Sequence, residues 1–209
     1  MAEIKDYQDL CVTKFGQGYI NEKKQEAVLQ VHPQQYMNIN AVWQYISNEW
    51  CAGRATTMYR QMLGRCSDDE CKAFKKLYFE NILFAGVFRY RNAAGLVRRS
   101  PFIPIDIDHL SSLEEAMELK RRLVLDTQVE TVLAFISPSG LGVKWIVELP
   151  PWTQGLSFRQ QYIELSIHVG FNYGYQADPN CKDVCRGCFL PYDPQCYINE
   201  KYKLTGWMN

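Results

Sequence analysis

Hydrophobic positions along the chain switch repeatedly between strand-like and helix-like spacing. Leu10 to Phe15 is β-prone and predicts a first strand, followed by a polar Lys/Gln/Asn-rich loop to about Tyr36. Val42, Tyr45, Ile46 and Trp50 recur at helical spacing, which predicts a helix from Ala41 to Trp50 with Asn40 as its N-cap. Ser67 followed by Glu70 is a capping-box pattern and predicts a helix to about Tyr78. Phe84 to Tyr90 reads as a strand, Asn92 to Gly95 as a turn, and Leu96 to Arg99 as the returning strand. Pro101 to Asp108 predicts a short buried strand, and Ser112 with Glu115 opens a helix to about Leu125. Glu130 to Ile136 and Val143 to Leu149 predict strands on either side of a Ser/Pro/Gly-rich turn. Phe158, Tyr162, Leu165 and Val169 mark a further helix, and short strands and loops are expected from Phe171 onward. Strands and helices intermix without strict βαβ alternation, which predicts an α+β fold.

Composition narrows the class. Of 209 residues, 47% are hydrophobic and 22% charged, an ordinary globular balance that excludes a disordered tail or a collagen-like fibre. The length predicts a single domain over 1–209, with 1–79 as an N-terminal αβ portion and 80–209 carrying the acidic motifs. The N-terminus has no apolar leader, and the longest apolar stretch, near Ile82 to Phe88, is too short to span a bilayer. A soluble cytoplasmic protein is therefore expected. Lys plus Arg and Asp plus Glu each total 23, so the net charge is zero, which argues against a whole-surface nucleic-acid binder. The halves differ, however. Residues 1–100 hold fourteen basic and ten acidic residues (+4), and 101–209 hold nine and thirteen (−4).

The acidic half carries the sharpest motif, Phe102-Ile-Pro-Ile-Asp106-Ile-Asp108. In a strand, Ile103, Ile105 and Ile107 share one face, while Asp106 and Asp108 project from the other. Two carboxylates so close repel unless a cation or a proton intervenes. Mg²⁺ or Mn²⁺ suits such oxygen ligands, and a strand-end pair that merely caps the next loop is the alternative. Ser137-Pro-Ser139-Gly140-Leu-Gly142-Val-Lys144 offers small residues that let backbone N–H groups approach an anion, with Lys144 as a point charge. It is not a Walker A loop, and a plain hairpin turn is the competing reading. His109 follows Asp108 but stands alone in its loop.

A third stretch runs from Asp178 through Lys182, Asp183 and Arg186 to Tyr192-Asp193-Pro194 and Tyr197-Ile-Asn199. Arg186 has the planar fork suited to phosphate. Cys181, Cys185, Cys188 and Cys196 lie in the same stretch. Their spacing is Cys181-x₃-Cys185-x₂-Cys188, and they read as reduced thiols acting as small hydrophobes, in preference to a structural zinc site, whose common arrangement of C-x₂-C pairs this spacing does not match. A radical-SAM cluster would need a barrel after the motif, and about twenty residues follow Cys188.

Taken in order, these three elements resemble the archaeo-eukaryotic primase (primase-polymerase) superfamily, in particular its VirE N-terminal-like branch. Asp106-Ile-Asp108 is similar to the family's first acidic motif, Ser137 to Lys144 to the branch's second, and Asp178 to the third. Lys182-Asp183-x-x-Arg186-x-x-Phe189 and the run from Tyr192 to Asn199 also resemble the branch, as does Phe84-Ala-Gly-Val-Phe88-x-Tyr90-Arg91 upstream. Lys144 stands where many superfamily members carry histidine, and Pro191 where a small hydroxyl residue is common.

The resemblance implies a catalytic core built on a mixed sheet with an RRM-like unit, flanked by helices. It implies nucleotidyl transfer to a nucleic-acid 3′-hydroxyl with two divalent ions, Mg²⁺ or Mn²⁺, held by Asp106, Asp108 and Asp178. Ser137, Ser139, Gly140, Gly142, Lys144 and Arg186 would hold the triphosphate. The implied partners are nucleoside triphosphates, a single-stranded DNA or RNA template, and a helicase in the same pathway, with no membrane. For the template, residues 54–99 hold ten Lys or Arg against four acidic residues, with Tyr59, Tyr78 and Tyr90 among them. Arg89, Arg91, Arg98 and Arg99 are the strand-binding candidates. The alternatives are a non-catalytic single-strand-binding or regulatory module on the same fold, and a zinc protein built on the late cysteines.

Overall fold

The computed structural model describes residues 11–203. Leu10, the expected start of the first strand, lies outside them. That strand, β1 (Val12–Phe15), is buried throughout. The polar stretch after it is not a plain loop. It forms a hairpin of β2 (Tyr19–Asn21) and β3 (Glu26–Val28), then β4 (Gln35–Met37). Few large apolar residues mark these strands, so their alternation does not show in the sequence.

The next helix is split in two. α1 (Ile39–Ser47) is capped by the Asn38 side chain, which accepts from the Ala41 N–H, and Asn40 lies inside the helix rather than capping it. Asn48 ends α1 and caps α2 (Glu49–Met62), placing Trp50 on the second helix. α3 (Asp68–Tyr78) begins at the expected Ser67–Glu70 capping box. β5 (Asn81–Leu83) then joins the first sheet. β6 (Gly86–Phe88) and β7 (Leu96–Arg99) form the hairpin expected around Asn92–Gly95, so the single strand predicted from Phe84 to Tyr90 is broken at Phe84-Ala85.

The acidic half builds the second sheet from β8 (Phe102–Ile107), α4 (Leu113–Val124), β9 (Thr131–Ile136), β10 (Val143–Glu148) and α5 (Phe158–Tyr173). β11 (Cys188–Phe189) then returns to β5, and β12 (Tyr197–Ile198) pairs with β9. The strand orders are β11-β5-β1-β4 and β12-β9-β10-β8. Every ladder among the described residues is antiparallel, which corrects the expected mixed sheet. β8 and β9 do run the same way, but β10 is inserted between them, so α4 closes a split β-α-β unit. The α+β class stands.

Both faces of the central sheet are covered. Ile103, Ile105, Ile107 and Trp145 pack against α4 and α5, while Phe102, Phe135 and Ile146 pack against α1 and the first sheet. This is why β8 and β9 read as near-continuous apolar runs. Burying each such side chain contributes about 1.5–3 kcal/mol, enough to hold Asp106 in a largely apolar strand. No described helix is long and apolar enough to cross a membrane.

Candidate functional site

The site grows from strand alternation. With Ile103, Ile105 and Ile107 turned to the helices, Asp106 and the following Asp108 emerge on the opposite face at the end of β8. The β8–β10 register places Lys144 directly across from Asp106. Its ammonium contacts Asp106 Oδ2 and lies 3.6 Å from Asp108 Oδ1. Asp106 is 8% exposed, and its Oδ1 has no hydrogen-bond partner. Burial pushes the Asp106 carboxyl up to about 6 against the pull of Lys144, with Asp108 and Asp178 adding to the rise. Burial works against the Lys144 charge, but Asp106 and Asp108 outweigh it and raise its pKa.

Asp178 arrives from the segment after α5. Gly174, in the left-handed region at φ 77°, ends that helix, and the Asp178 N–H donates to the Asp106 carbonyl at 2.8 Å. The Tyr162 hydroxyl fixes the same residue by donating to its carbonyl at 2.7 Å. Asp178 Oδ1 accepts from the Asn180 N–H at 2.9 Å. Its Oδ2 lies 3.6 Å from both Cys181 Sγ and Arg186 Nη2. Burial opposes ionisation of Asp178, yet the Asn180 N–H and the Arg186 guanidinium hold its carboxyl below the usual range. Asp106, Asp178 and Cys181 offer ligand atoms within 4.8 Å of one another, the one such group of three among the described residues. Asp108 joins through Lys144. Its neighbour His109 is exposed and adopts φ 64°, turning the chain away from the strand.

The Ser-rich segment is both a hairpin turn and a wall of the site. Ser137 N–H donates to the Gly142 carbonyl at 2.8 Å, the two serine hydroxyls lie 3.0 Å apart, and Leu141 N–H donates to Ser139 Oγ at 3.1 Å. Gly140 takes φ 81°. A Cβ on Gly142 would strike Asp108 Oδ1 and come within 2.8 Å of the Ile107 carbonyl, so glycine is what lets the turn pass the carboxylate.

Ser137, Ser139, Asp106, Asp108, Lys144 and Arg186 line a cleft of about 370 Å³. Its opposite wall brings Lys72, Lys75 and Lys76 of α3, with Arg91, to face the carboxylates. Lys75 is half-buried beneath the rings of Tyr59 and Phe189. Burial and the nearby Lys144 lower its pKa. The sequence marks the basic character of residues 54–99 but gives no sign that these lysines reach the acidic strand, because the approach is purely tertiary. Arg60 is a second omission. Its Nε donates to the Pro138 carbonyl at 3.3 Å, tying α2 to the Ser-rich turn.

The four arginines proposed for strand binding do not act as one patch. Arg91 reaches the cleft and donates to Asn81 Oδ1. Arg99 donates to the Ala85 carbonyl at 2.8 Å and stacks over Phe158, so its fork is committed to the fold. Arg89 is exposed just after β6, and Arg98 lies on β7. Nor do the late cysteines converge. Cys188 and Cys196 sit in the apolar cluster beside α1, Cys185 packs near Phe15 with its Sγ 3.2 Å from Asp183 Oδ1, and Cys181 faces Asp106 and Asp178. The zinc reading on those four thiols is therefore corrected. β11 carries Cys188 into the core, and the turn before β12, where the Cys196 N–H donates to the Asp193 carbonyl at 3.0 Å, does the same for Cys196. Asp193, from the same stretch, is buried and paired with Lys120 at 2.9 Å.

Split β-α-β topology and a cleft lined by Asp106, Asp108 and several lysines, with Asp178 close behind Asp106, define an α+β domain with an acidic, cation-rimmed site. The family model described as "BT4734-like, N-terminal domain" matches residues 73–198, and the chain belongs to that family. The match begins within α3 and ends at β12, so it contains all three acidic residues and the Ser-rich turn. No curated protein and no solved structure matches the chain.

Proposed function

We propose that this domain is a divalent-metal-dependent nucleotidyltransferase of the primase-polymerase type, extending a nucleic-acid 3′-hydroxyl along a single-stranded template. The observation that carries the reading is the cleft itself. Asp106 and Asp108 sit on one side and Lys72, Lys75, Lys76, Arg91 and Arg186 on the others, with the Ser137–Ser139 turn between them. Carboxylates facing several cations suit a polyphosphate that travels with its own metal. The order of the three acidic motifs, similar to primase-polymerases, supports the same reading.

The residues fit such an ion. Asp106 Oδ1 is a buried acceptor without a partner, and Asp178 Oδ2 lies in the same cluster. Asp106, Asp108 and Asp178 would hold the metal. Bound divalent ions supply Lewis-acid chemistry, favouring the ionised attacking hydroxyl and offsetting charge on the departing pyrophosphate. The protein's own groups do the rest. The Ser137 and Ser139 hydroxyls orient phosphate oxygens, and the α3 lysines and Arg186 counter their charge. The buried Lys144 keeps Asp106 and Asp108 together despite their repulsion.

Incubation with primed and unprimed templates, labelled nucleotides and Mn²⁺ or Mg²⁺ tests this. Incorporation that disappears in Asp106→Ala is expected. A folded protein that extends nothing with either ion argues against the proposal. One observation favours the non-catalytic alternative: the Lys144 ammonium already bridges the two strand-end carboxylates. Salt-dependent binding of single strands without incorporation would select it.

A further inference from the structure

We infer that Cys181 is a metal ligand, and that Asp106, Asp178 and Cys181 form a mixed oxygen–sulfur site favouring Zn²⁺ or Co²⁺, and more weakly Mn²⁺, over Mg²⁺. The inference rests on the reading above that Asp106 and Asp178 hold a divalent ion. It adds which ion this chain's site prefers.

Geometry is the first support. Cys181 Sγ lies 3.9 Å from Asp106 Oδ2 and 3.6 Å from Asp178 Oδ2. A tetrahedral ion with metal–sulfur bonds of about 2.3 Å and metal–oxygen bonds of about 2.0–2.2 Å sets its sulfur and oxygen ligands about 3.5 Å apart. Both sulfur–oxygen distances stand within a few tenths of an ångström of that spacing. The second support is independent. Asp106 is 8% exposed, belongs to the same group, and keeps Oδ1 without any hydrogen-bond partner. A buried carboxylate oxygen left unpaired is costly; with Oδ2 held by Lys144, a cation taken up through Oδ1 of the same carboxylate would satisfy it. Cys181 also holds its place tightly, since its backbone N–H donates to the Asp178 carbonyl at 3.0 Å.

A thiol that only donates weakly to two carboxylates would be matched or bettered by serine, whose hydroxyl is the stronger donor. A thiolate ligand would not be, because sulfur is what borderline and soft ions select. On binding, the Cys181 S–H bond breaks, its proton passes to solvent, and a metal–sulfur bond forms. No electron is transferred.

Cys181→Ser separates the two roles. Cobalt titration of the unaltered protein is expected to produce a thiolate-to-metal charge-transfer band that saturates near one equivalent. The band should be absent from Cys181→Ser and retained in Cys51→Ser, whose side chain is exposed and distant in sequence. By calorimetry, Zn²⁺ affinity should fall at least about tenfold in Cys181→Ser, the lower end of losses on removing support from a metal site. Mg²⁺ affinity should be unchanged. Cadmium NMR of the unaltered protein, requiring no variant to fold, should show a resonance shifted by one sulfur ligand. Metal bound in an Asp106-dependent way without the band or the sulfur shift overturns the inference while leaving the nucleotidyl-transfer reading intact. Absence of any Asp106-dependent metal binding overturns both.

Discussion

Two buried lysine–aspartate pairs lie among the described residues, and they are built to opposite purposes. Lys120 and Asp193 satisfy each other completely. Asp193 Oδ2 takes Lys120 at 2.9 Å and the Ile136 N–H at 2.8 Å, Oδ1 takes the Gln195 N–H at 2.9 Å, and Lys120 also donates to the Gln195 carbonyl at 2.7 Å. The pair pins the chain after β11 to the end of β9, next to the Ser-rich turn. Lys144 and Asp106 are as deeply buried, yet Asp106 keeps one oxygen unpartnered, faces two other carboxylates and opens onto a cleft. A saturated buried ion pair is a fastening. An unsaturated one retains bonding capacity for something that is not yet there.

The contrast is sharpest where stability and chemistry should part. Asp106→Asn is expected to cut nucleotide incorporation about a thousandfold, several kcal/mol at the transition state, while costing less in urea unfolding than Asp193→Ala, because the amide keeps an acceptor and Asp108 still faces Lys144. Equal loss of stability in the two variants would dissolve the distinction. Asp193→Ala should do the reverse. It strands Lys120 inside the protein and should cost about 3–5 kcal/mol in urea unfolding, and any variant that folds should keep its metal affinity. Gly142→Ala tests the border between the two regions. Its methyl group would press on Asp108 and the Ile107 carbonyl, costing about 1–3 kcal/mol and weakening metal binding together.

The smallest effect is in pH. The folded Asp106 carboxyl titrates at about 6, above its ordinary 3.8, so the folded state binds that proton more readily than the unfolded chain. The sign follows: stability linked to Asp106 is fully present below pH 3.8 and is lost as pH rises through about 6. Relative to Asp106→Asn, the unaltered protein should gain stability on acidification from neutral pH. A difference that stays flat across that range would show that Lys144 cancels the burial effect.

Local chemistry made much of this legible from sequence. The capping box at Ser67–Glu70 and the alternation from Phe102 to Asp108 act through neighbours a few residues apart, and both appear where expected. α2 did not show because its buried positions are Ala52, Gly53, Thr56 and Tyr59, where small residues carry the packing and leave no apolar stripe. In the site, the two strand-end aspartates follow from a period of two. The facing lysines, the Arg60 brace and the Cys181 contact depend on elements that meet only after folding. The late cysteines misled in part because spacing in sequence says nothing of which short strand turns a thiol into the core.

The backbone bond from Asp178 to Asp106 joins segments on either side of α5. Asp106 lies on β8, the edge strand of its sheet, laddered on one side to β10, and Asp108 follows directly after it. Asp178, Cys181 and Arg186 come from the segment after α5, whose Ala177 and Cys181 are buried in the core that also holds Ile105 and Ile107. The acidic centre is thus stitched from two distant stretches of the chain. Its third carboxylate, its thiol and its guanidinium take their places only when the segment after α5 has packed onto β8, so the site is completed by the finished fold and not by any one stretch of sequence.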